Sequence, residues 1–294
     1  MSEKTSRKID KYLDKLFKGL DLKYINSIFK MGDIDEKLIK ELPTEYTSIA
    51  ECERRADLVA ESTHGYVVNA EYESGELNKN KFFKSWDYCS RIHKYLKKNG
   101  KTGKNAKVKN YMICTSGIDK PYYDYHPTCG GRHRIYTISL KNIDGDKKLN
   151  IVENKIKNRE KFDVNDMTFL MVAVLTDSSY KPHEILMKVV KLTNKIIKIQ
   201  KEEEITLIDE NTIKEIKYYQ SNNCENLIEE KYQDKILEEI KMKNDFYRNA
   251  MKEGMKKGKV EGKKEVAKMM KEDGNKQEYI QKITGLTLNE IKSL

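Results

Sequence analysis

The chain has 294 residues, of which 38% are hydrophobic and 35% charged, and its formal net charge is +10. This composition excludes a largely disordered protein, because disordered chains have too few apolar residues to build a core. No stretch approaches the ~20 consecutive apolar residues of a membrane-spanning helix. The five cysteines are odd in number and contain no CxxC pair. We therefore expect reduced thiols, a cytoplasmic location and no membrane partner.

The positive charge is concentrated in one segment, from Lys79 to Lys109. This segment holds eleven Lys or Arg residues and one acid, Asp87, so its net charge equals that of the whole chain. Lys and Arg displace the counterions that condense on phosphates, so such a cluster is typical of a surface that binds nucleic acid. A solvated helix face followed by a loop is the alternative. The one-sided charge favours the phosphate-facing interpretation.

The predicted elements begin with an amphipathic helix from Thr5 to Leu20, in which apolar residues recur at intervals of three and four. A short helix is predicted from Asp35 to Glu41. Two strands, Arg55 to Glu61 and Tyr66 to Glu73, then enclose the segment Ser62-Thr63-His64-Gly65. Glycine at its end supplies the positive φ that a tight turn requires, so we predict a β-hairpin.

A helix of about five turns is predicted from Lys79 to Lys98, with most of its cations outward and with these residues inward: Phe82, Phe83, Trp86, Cys89, Ile92 and Leu96. Strands are predicted from Lys109 to Thr115 and from Arg134 to Leu140, with a polar, aromatic loop between them. Three helices follow, from Leu149 to Asn158, from an Asp163 cap to Leu175, and from Pro182 to about Gln200.

The composition changes after Lys201. We predict a main α/β domain at residues 1–201, a polar linker at 202–224 and a charged helical region at 225–294. The terminal ITGLTLNEI pattern, from Ile283, could form a helix-turn-helix, but its second helix has barely two turns before Leu294. A packing or oligomerisation element is favoured, so a homo-oligomer through the C-terminal helices is an expected assembly.

The loop length of the predicted hairpin decides which of its side chains share a face. With a three-residue loop of Thr63, His64 and Gly65, Asp57 lies directly opposite Glu71. Directly opposed residues point to the same face, and Glu73, two residues further along, points there too. A two- or four-residue loop would turn one strand over and separate these carboxylates.

Carboxylates gathered on one sheet face repel one another unless a cation lies among them. Their oxygens suit Mg²⁺, which can stabilise charge on a scissile phosphate and acidify an attacking water. The hairpin therefore predicts a divalent-metal site at Asp57, Glu71 and Glu73. The alternative is the solvent-exposed face of an edge hairpin, where Asp and Glu are common.

The same hairpin carries the most specific part of a resemblance to a known family. ERRADLVAES at 53–62 and GYVVNAEYES at 65–74 resemble the Rpn family of recombination-promoting nucleases, also described as PD-(D/E)XK nuclease-family transposases. Looser similarity extends nearly from end to end. It includes DKLFKGL at 14–20, LPTEYTSIAE at 42–51, the stretch 144–171, and ITGLTLNEI at 283–291.

The resemblance implies a restriction-endonuclease-like fold, a mixed β-sheet flanked by helices, here with a helical C-terminal tail. It also implies an endodeoxyribonuclease that needs Mg²⁺ or another divalent cation, hydrolyses phosphodiester bonds and is linked to recombination or mobile elements. By position, Asp57 takes the place of the motif's Asp and Glu71 that of its first acidic residue. Asp14 fits an acidic position on the first helix that some members of the superfamily add to the site.

Basic residues around the hairpin are the predicted DNA contacts. Arg54 and Arg55 match the family's paired arginines, which serve either phosphate positioning or structural pairing. The other predicted contacts are cations of the basic helix, namely Lys79, Lys81, Lys84, Arg91 and Lys94.

Glu73 departs from the pattern of the family, because the superfamily usually has Lys at this position and this family often Gln. A carboxylate cannot donate a hydrogen bond to the attacking water or neutralise the pentavalent phosphate. Glu73 could instead bind a second metal or act as general base, and Lys79, Lys81 or Lys84 could supply the missing cation. The alternative function is a catalytically impaired DNA-binding and assembly protein on the same fold.

Overall fold

The structure, a computed structural model, describes residues 11–13, 15–46, 54–75, 77–118, 120–127, 130–240, 264, 266–268, 270–271, 277–284 and 286–287. The chain forms two compact units, Met1–Ile240 and Lys241–Leu294. The first unit contains a mixed β-sheet flanked by helices, so the predicted α/β class is confirmed.

The sheet forms the core of the first unit. The strands in the described part of the chain are β1 (Leu38–Glu41), β2 (Glu45–Tyr46), β3 (Arg54–Arg55), β4 (Leu58–Ser62), β5 (Val67–Glu73), β6 (Val108–Cys114), β7 (Tyr122–Tyr125) and β8 (His133–Ser139). Six of them form the main sheet in the order β1-β4-β5-β6-β8-β7, and β2 pairs with β3 separately. Within the main sheet β5 pairs with β6 and β6 with β8 in parallel, whereas the other neighbours are antiparallel.

Helices account for most of the remaining described residues. Those of the first unit are α1 (Leu22–Met31), α2 (Lys79–Lys98), α3 (Gly145–Asn158), α4 (Val164–Val172), α5 (Pro182–Glu203), α6 (Glu210–Leu227) and α7 (Glu230–Ile240). Residues 11–13 and 15–18 are also helical, within the predicted first helix. None of the helices that the structure describes is both long enough and apolar enough to span a bilayer.

The β4–β5 hairpin has the register that its turn dictates. The Ser62 amide donates a hydrogen bond to the Tyr66 carbonyl (2.9 Å), which leaves a loop of three residues. Gly65 ends this loop at a φ of 77°, in the left-handed region. The predicted loop length and register are therefore confirmed, and Asp57 and Glu71 lie opposite one another where β4 begins.

Helix α2, whose predicted bounds are confirmed, connects β5 to β6 and covers one face of the sheet. Its Tyr88, Ile92 and Leu96 form a buried hydrophobic cluster with residues of the hairpin. Val67 of β5 belongs to this cluster. Because side chains alternate along a strand, residues 69, 71 and 73 of β5 point to the face that α2 covers.

Aromatic side chains of the N-terminal helices cover the opposite face of the sheet. Phe17 stacks on Tyr72 of β5, with ring centroids 4.8 Å apart. Phe29 of α1 lies 4.9 Å from Tyr111 of β6, which stacks in turn on Tyr136 of β8. The strands that carry the hairpin and its neighbours are thus held between two helical layers.

The prediction of a polar linker at 202–224 is wrong, because most of this segment lies in helix α6. Its polar residues are buried and hydrogen-bonded: the Asn223 amide donates to the Met171 carbonyl (2.7 Å) and its Oδ1 accepts from the Tyr12 hydroxyl (2.5 Å). The Tyr219 hydroxyl donates to the Gly19 carbonyl (2.8 Å). These bonds connect α6 to α4 and to the N-terminal residues, and the first unit accordingly extends to Ile240 rather than ending at residue 201.

Two further predictions were wrong, at the edges of the sheet. Residues 38–41, predicted as part of a short helix, form β1, where the Asn26 side chain hydrogen-bonds both the amide (2.7 Å) and the carbonyl (2.9 Å) of Leu38. So short a segment has little intrinsic helical stability, and strand pairing with β4 decides its conformation. Residues 122–125, predicted as loop, form β7 because they pair with β8.

In the second unit, helix α8 spans Gln277–Thr284. Ile280 packs there with Ala267 and Leu286 in a small hydrophobic cluster. The structure does not describe the rest of this terminal region, namely residue 285 and residues 288–294. A homo-oligomer formed through the C-terminal helices therefore stays a prediction.

The turn glycine provides a test of the hairpin geometry. We predict that Gly65→Ala lowers the free energy of unfolding by about 1 kcal/mol, because an L-residue is strained at this positive φ. Urea unfolding measured by circular dichroism checks this. Gly117→Ala is the matched control, since a Cβ there meets nothing within 4 Å and the backbone has no positive φ. Equal stability of the two variants would contradict the described turn.

Candidate active site

Asp57 and Glu71 meet at the open end of the hairpin. The Tyr72 amide donates a hydrogen bond to Asp57 Oδ2 (3.0 Å), which holds that carboxylate against β5. The Asp57 amide in turn approaches Glu71 Oε1 at 3.4 Å. The two acidic side chains are thus positioned by the backbone of the opposite strand, and the register of the hairpin keeps them together.

Both carboxylates are buried, with side-chain exposures of 7% for Asp57 and 1% for Glu71. Burial, and after it the charge of Asp57, raises the pKa of Glu71 to about 8, although Lys84 acts in the opposite direction. Two like charges taken out of water are unfavourable unless cations compensate them. A carboxylate pair of this kind is therefore a candidate functional site.

Two lysines from different elements compensate this pair. Lys18, from the N-terminal helical residues, places its Nζ 2.8 Å from Asp57 Oδ1, and Lys84 of α2 places its Nζ 3.1 Å from Glu71 Oε2. The second contact is an ion pair without hydrogen-bond alignment, since Oε2 accepts no hydrogen bond from any described residue. Burial disfavours the charge on Lys84, but Glu71 and Asp57 outweigh that effect and raise the pKa of Lys84.

Glu73 has a separate cation of its own. Its Oε2 lies 2.7 Å from Nζ of Lys81, on the first turn of α2. Among the described residues, no group of three or more His, Cys, Asp or Glu side chains is placed to hold a metal ion, so Glu73 does not join the other two carboxylates in one such group. The structure brings Asp57 and Glu71 together and pairs Glu73 with Lys81 beside them.

The positive charge of the basic segment, residues 79–109, is partly neutralised in the folded protein. Five of its eleven cations pair with carboxylates in the described part of the chain: Lys81 with Glu73, Lys84 with Glu71, Arg91 with Asp87, Lys101 with Glu61, and Lys109 with Glu36. Four of these five carboxylates lie outside the segment, which is why a count along the sequence missed the compensation.

The other predicted site residues differ in whether the structure describes them and in how exposed they are. Asp14 lies outside the described residues. Arg54 and Arg55 form β3, which pairs with β2, and their side chains lie outside the description. Lys79 and Lys94 are exposed on α2. Arg91, which was also predicted to bind DNA, is mostly buried and bonded to Asp87 one helical turn away (3.0 Å).

Sequence reasoning missed Lys18 and a buried amide pair. Asn69 precedes Glu71 by two residues on the covered face, and its amide donates to Asn110 Oδ1 of β6 (3.1 Å). Alternation along β5 could have placed Asn69 beside Glu71. Nothing local marks Lys18, because its partner Asp57 belongs to a separate element.

A cleft of about 320 Å³ opens at the carboxyl end of β5. Phe17 and Tyr72 contribute apolar surface to it, and Glu73, Lys81 and Thr115 contribute polar groups. A ligand in this cleft would contact the Glu73–Lys81 ion pair. The cleft therefore opens at Glu73, the next residue of β5 after Glu71 that points to the same face.

The chemistry of the donors fits a Mg²⁺ ion. Mg²⁺ is commonly bound by one or two carboxylates, with waters and substrate phosphates completing the shell. Asp57 and Glu71 provide two neighbouring carboxylates, one with an oxygen that accepts no hydrogen bond from the described residues. These two residues would hold the ion, and Lys18 and Lys84 would have to give way.

We predict that Glu71→Gln stabilises the metal-free protein. The raised pKa of Glu71 means that the folded state binds a proton more tightly than the unfolded state, so stability falls as pH rises from about 5 to about 8. Removing this carboxylate should raise the free energy of unfolding by about 2 kcal/mol at pH 8 and by less at pH 5. Thermal unfolding in EDTA at both pH values measures the difference.

Glu61→Gln is the matched control, because Glu61 lies on the same hairpin in a part-exposed ion pair with Lys101 (3.2 Å). Such pairs are worth less than about 1 kcal/mol, so little change is expected. A Glu71→Gln protein that is less stable than the wild type at pH 8 would contradict the described burial.

Comparison of the chain with family models, with curated proteins and with solved structures found no match. What can be concluded about function therefore depends on the arrangement of the residues themselves.

Proposed function

We propose that the protein is a metal-dependent DNA endonuclease of the PD-(D/E)XK superfamily, with a restriction-endonuclease-like fold and a link to recombination or mobile elements. The observation that carries the proposal is that Asp57 and Glu71, both with buried side chains, lie next to each other on the hairpin that a basic helix covers. Burying two like charges lowers stability unless cations compensate them, and a bound metal ion would compensate this pair.

The mixed sheet supports the fold part of the proposal. The resemblance implies a mixed sheet flanked by helices, and here a hairpin, a covering helix and a parallel strand follow in order as β4, β5, α2 and β6. The motif residues Asp57, Glu71 and Glu73 stand where β4 begins and where β5 ends. The roles of these residues are inferred from this correspondence of position.

When bound, the divalent cation would stabilise charge on the scissile phosphate and make a water acidic enough to be deprotonated. Asp57 and Glu71 would supply the oxygens that hold the cation. Lys84 lies 3.1 Å from Glu71 and provides a positive charge next to the place of reaction. Exposed Lys79 and Lys94, on the same helix, hold the DNA backbone by charge.

The Glu73–Lys81 pair favours the alternative function, a DNA-binding and assembly protein with impaired catalysis. In this pair Glu73 neutralises Lys81, the cation that could otherwise neutralise a phosphate. Catalytic turnover distinguishes the two functions, since only the nuclease requires it at Asp57 and Glu71.

Nicking of supercoiled plasmid in Mg²⁺ tests the proposal. We predict that the wild type nicks DNA, that EDTA stops it, and that Asp57→Ala lowers the rate at least about a hundredfold, since one of two cation ligands is lost. Glu61→Gln, a change of charge on the same hairpin away from the pair, should cleave at the wild-type rate. Wild-type cleavage by Asp57→Ala would overturn the assignment, and DNA binding without cleavage by any variant would favour the alternative.

The variant Glu73→Lys tests the role of position 73, where the sequence differs from the motif of the family that it resembles. We predict that this variant nicks DNA several-fold faster than the wild type, because it places a cation where the phosphate charge develops and frees Lys81 from its carboxylate. Glu73→Gln frees Lys81 without adding a cation, so it should lie between the two. Rates for both variants below that of the wild type would show that the carboxylate itself is required.

A further inference from the structure

Helix α2 carries two neighbouring aromatic residues among its exposed cations. Phe83 is 45% exposed, and its ring centroid lies 5.7 Å from that of Trp86, which is the single tryptophan of the chain. The prediction that Phe83 points inward is wrong, because other residues occupy the covered face of α2. The buried residues of the helix are Ser85, Tyr88, Ile92 and Leu96.

The two aromatic residues belong to one stripe along the helix. At 3.6 residues per turn, side chains that follow one another at intervals of three and four residues lie on the same side of a helix. Six residues of α2 have this spacing and fall within about 80° of arc, opposite to the buried residues. We call them the α2 stripe: Lys79, Phe83, Trp86, Ser90, Lys94 and Lys97.

The cations of the α2 stripe give it a positive charge. Lys79, Lys94 and Lys97 are exposed, and none of them pairs with a carboxylate in the part of the chain that the structure describes. Asp87, the only acid of α2, is bonded to Arg91 (3.0 Å). The stripe therefore complements a polyanion along its length and presents aromatic surface between its cations.

An exposed phenylalanine narrows the kind of polyanion that fits. A phenyl ring has no hydrogen-bonding group, so Phe83 can neither bind a phosphate nor read the edge of a base pair. A flat apolar ring can stack on a nucleobase, and every base has a face for such a contact. In duplex DNA the neighbouring base pairs cover these faces, so the ring can reach only unpaired bases.

We infer that the α2 stripe binds single-stranded DNA, with Phe83 and Trp86 stacking on unpaired bases and the lysines on either side of them holding backbone phosphates. The inference rests on the proposed function in taking DNA as the polyanion, but it requires no cleavage. The stripe extends over about 27 Å of helix, which is long enough to contact several nucleotides.

The α2 stripe is separate from the carboxylates that the same helix contacts. Lys81 and Lys84, which pair with Glu73 and Glu71, do not belong to the stripe. Stacking on the stripe therefore needs neither a metal ion nor the carboxylate pair. The class of substrate that would engage both places is DNA in which an unpaired segment adjoins the position of cleavage.

The fluorescence of Trp86 reports the stacking contact directly, because the chain has no other tryptophan. The probe is an unlabelled single strand of about twelve nucleotides without self-pairing, titrated into the protein in EDTA. We expect this strand to quench Trp86, since a stacked base contacts the indole ring. A duplex of the same sequence should bind about tenfold more weakly and should quench Trp86 far less.

Substitutions in the stripe separate stacking from charge, with affinities measured by fluorescence anisotropy of labelled DNA. Phe83→Leu keeps an apolar side chain but loses the flat ring. We expect about tenfold weaker binding of the single strand, an unchanged salt dependence, and duplex binding within about twofold of the wild type. Phe83→Tyr keeps the ring and should bind like the wild type. Lys94→Met should instead lower the log–log salt slope by about 0.7, as for one lost phosphate contact.

Tyr180→Leu is the matched control. Tyr180 is 37% exposed and has Nζ of Lys188 4.4 Å from its ring centroid, but it lies outside α2. Its loss should leave the binding of single-stranded DNA unchanged, which separates the stripe from exposed aromatic surface in general. Circular dichroism checks the fold of each variant, and the quenching of Trp86 in the wild type decides the question even where a variant does not fold.

Single-stranded DNA that leaves the fluorescence of Trp86 unchanged would overturn the inference. Equal losses of single-strand and duplex binding in Phe83→Leu would also overturn it, and so would no loss of either, which would leave the stripe to a protein partner. Tighter binding of an RNA strand of the same sequence would contradict DNA as the ligand. Stacking in EDTA without cleavage in Mg²⁺ would retain the inference and lose the nuclease function, and cleavage without any effect of Phe83→Leu on binding would do the reverse.

Discussion

Two buried carboxylates of like charge, Asp57 and Glu71, impose the constraint on which the rest of the site depends. The hairpin register places them opposite each other, and the Tyr72 amide fixes Asp57 in that position. Their repulsion has to be compensated, and Lys18 and Lys84 supply the charge from two separate elements. The hairpin, the N-terminal helical residues and α2 are therefore joined by one electrostatic requirement.

Helix α2 combines structural and electrostatic roles. Its inward face buries Ile92 and Leu96 against the hairpin, while Lys81 and Lys84 of its first turns reach the carboxylates at the end of β5. Lys94 and the other exposed cations further along the helix face solvent. The basic segment thus divides into cations that complete the carboxylate site and cations that remain available to an anionic partner, and both groups depend on one helix being packed in one orientation.

The sequence was most informative where local patterns decide the structure. The three-residue turn ending at Gly65 and the helix from Lys79 to Lys98 were predicted with the register and bounds that the structure has, because glycine and apolar periodicity are local signals. Tertiary contacts decided the rest: β1 and β7 exist through pairing with neighbouring strands. The polar residues of α6 are buried because distant hydrogen bonds satisfy them, although composition alone suggested a linker.

For the candidate site, the sequence predicted which carboxylates share a face but not how deeply they are buried. Burial of Glu71 depends on α2 lying across β5, and the Lys18–Asp57 ion pair depends on the placement of the N-terminal helical residues. No pattern in the amino-acid sequence predicts either contact. The position of Glu73 illustrates the same limit. Its difference from the motif of the family that the chain resembles is visible in the sequence, whereas its pairing with Lys81 could be seen only in the fold.

The central claim is that Asp57 and Glu71 bind a divalent cation together, and anomalous X-ray diffraction from crystals of the protein soaked in Mn²⁺ tests it most directly. The account predicts an anomalous peak within ligand distance of both carboxylates, with Lys18 and Lys84 withdrawn from them, and no such peak in crystals of Asp57→Asn. Soaked crystals in which both lysine–carboxylate ion pairs persist and no peak lies between the two acids would contradict it.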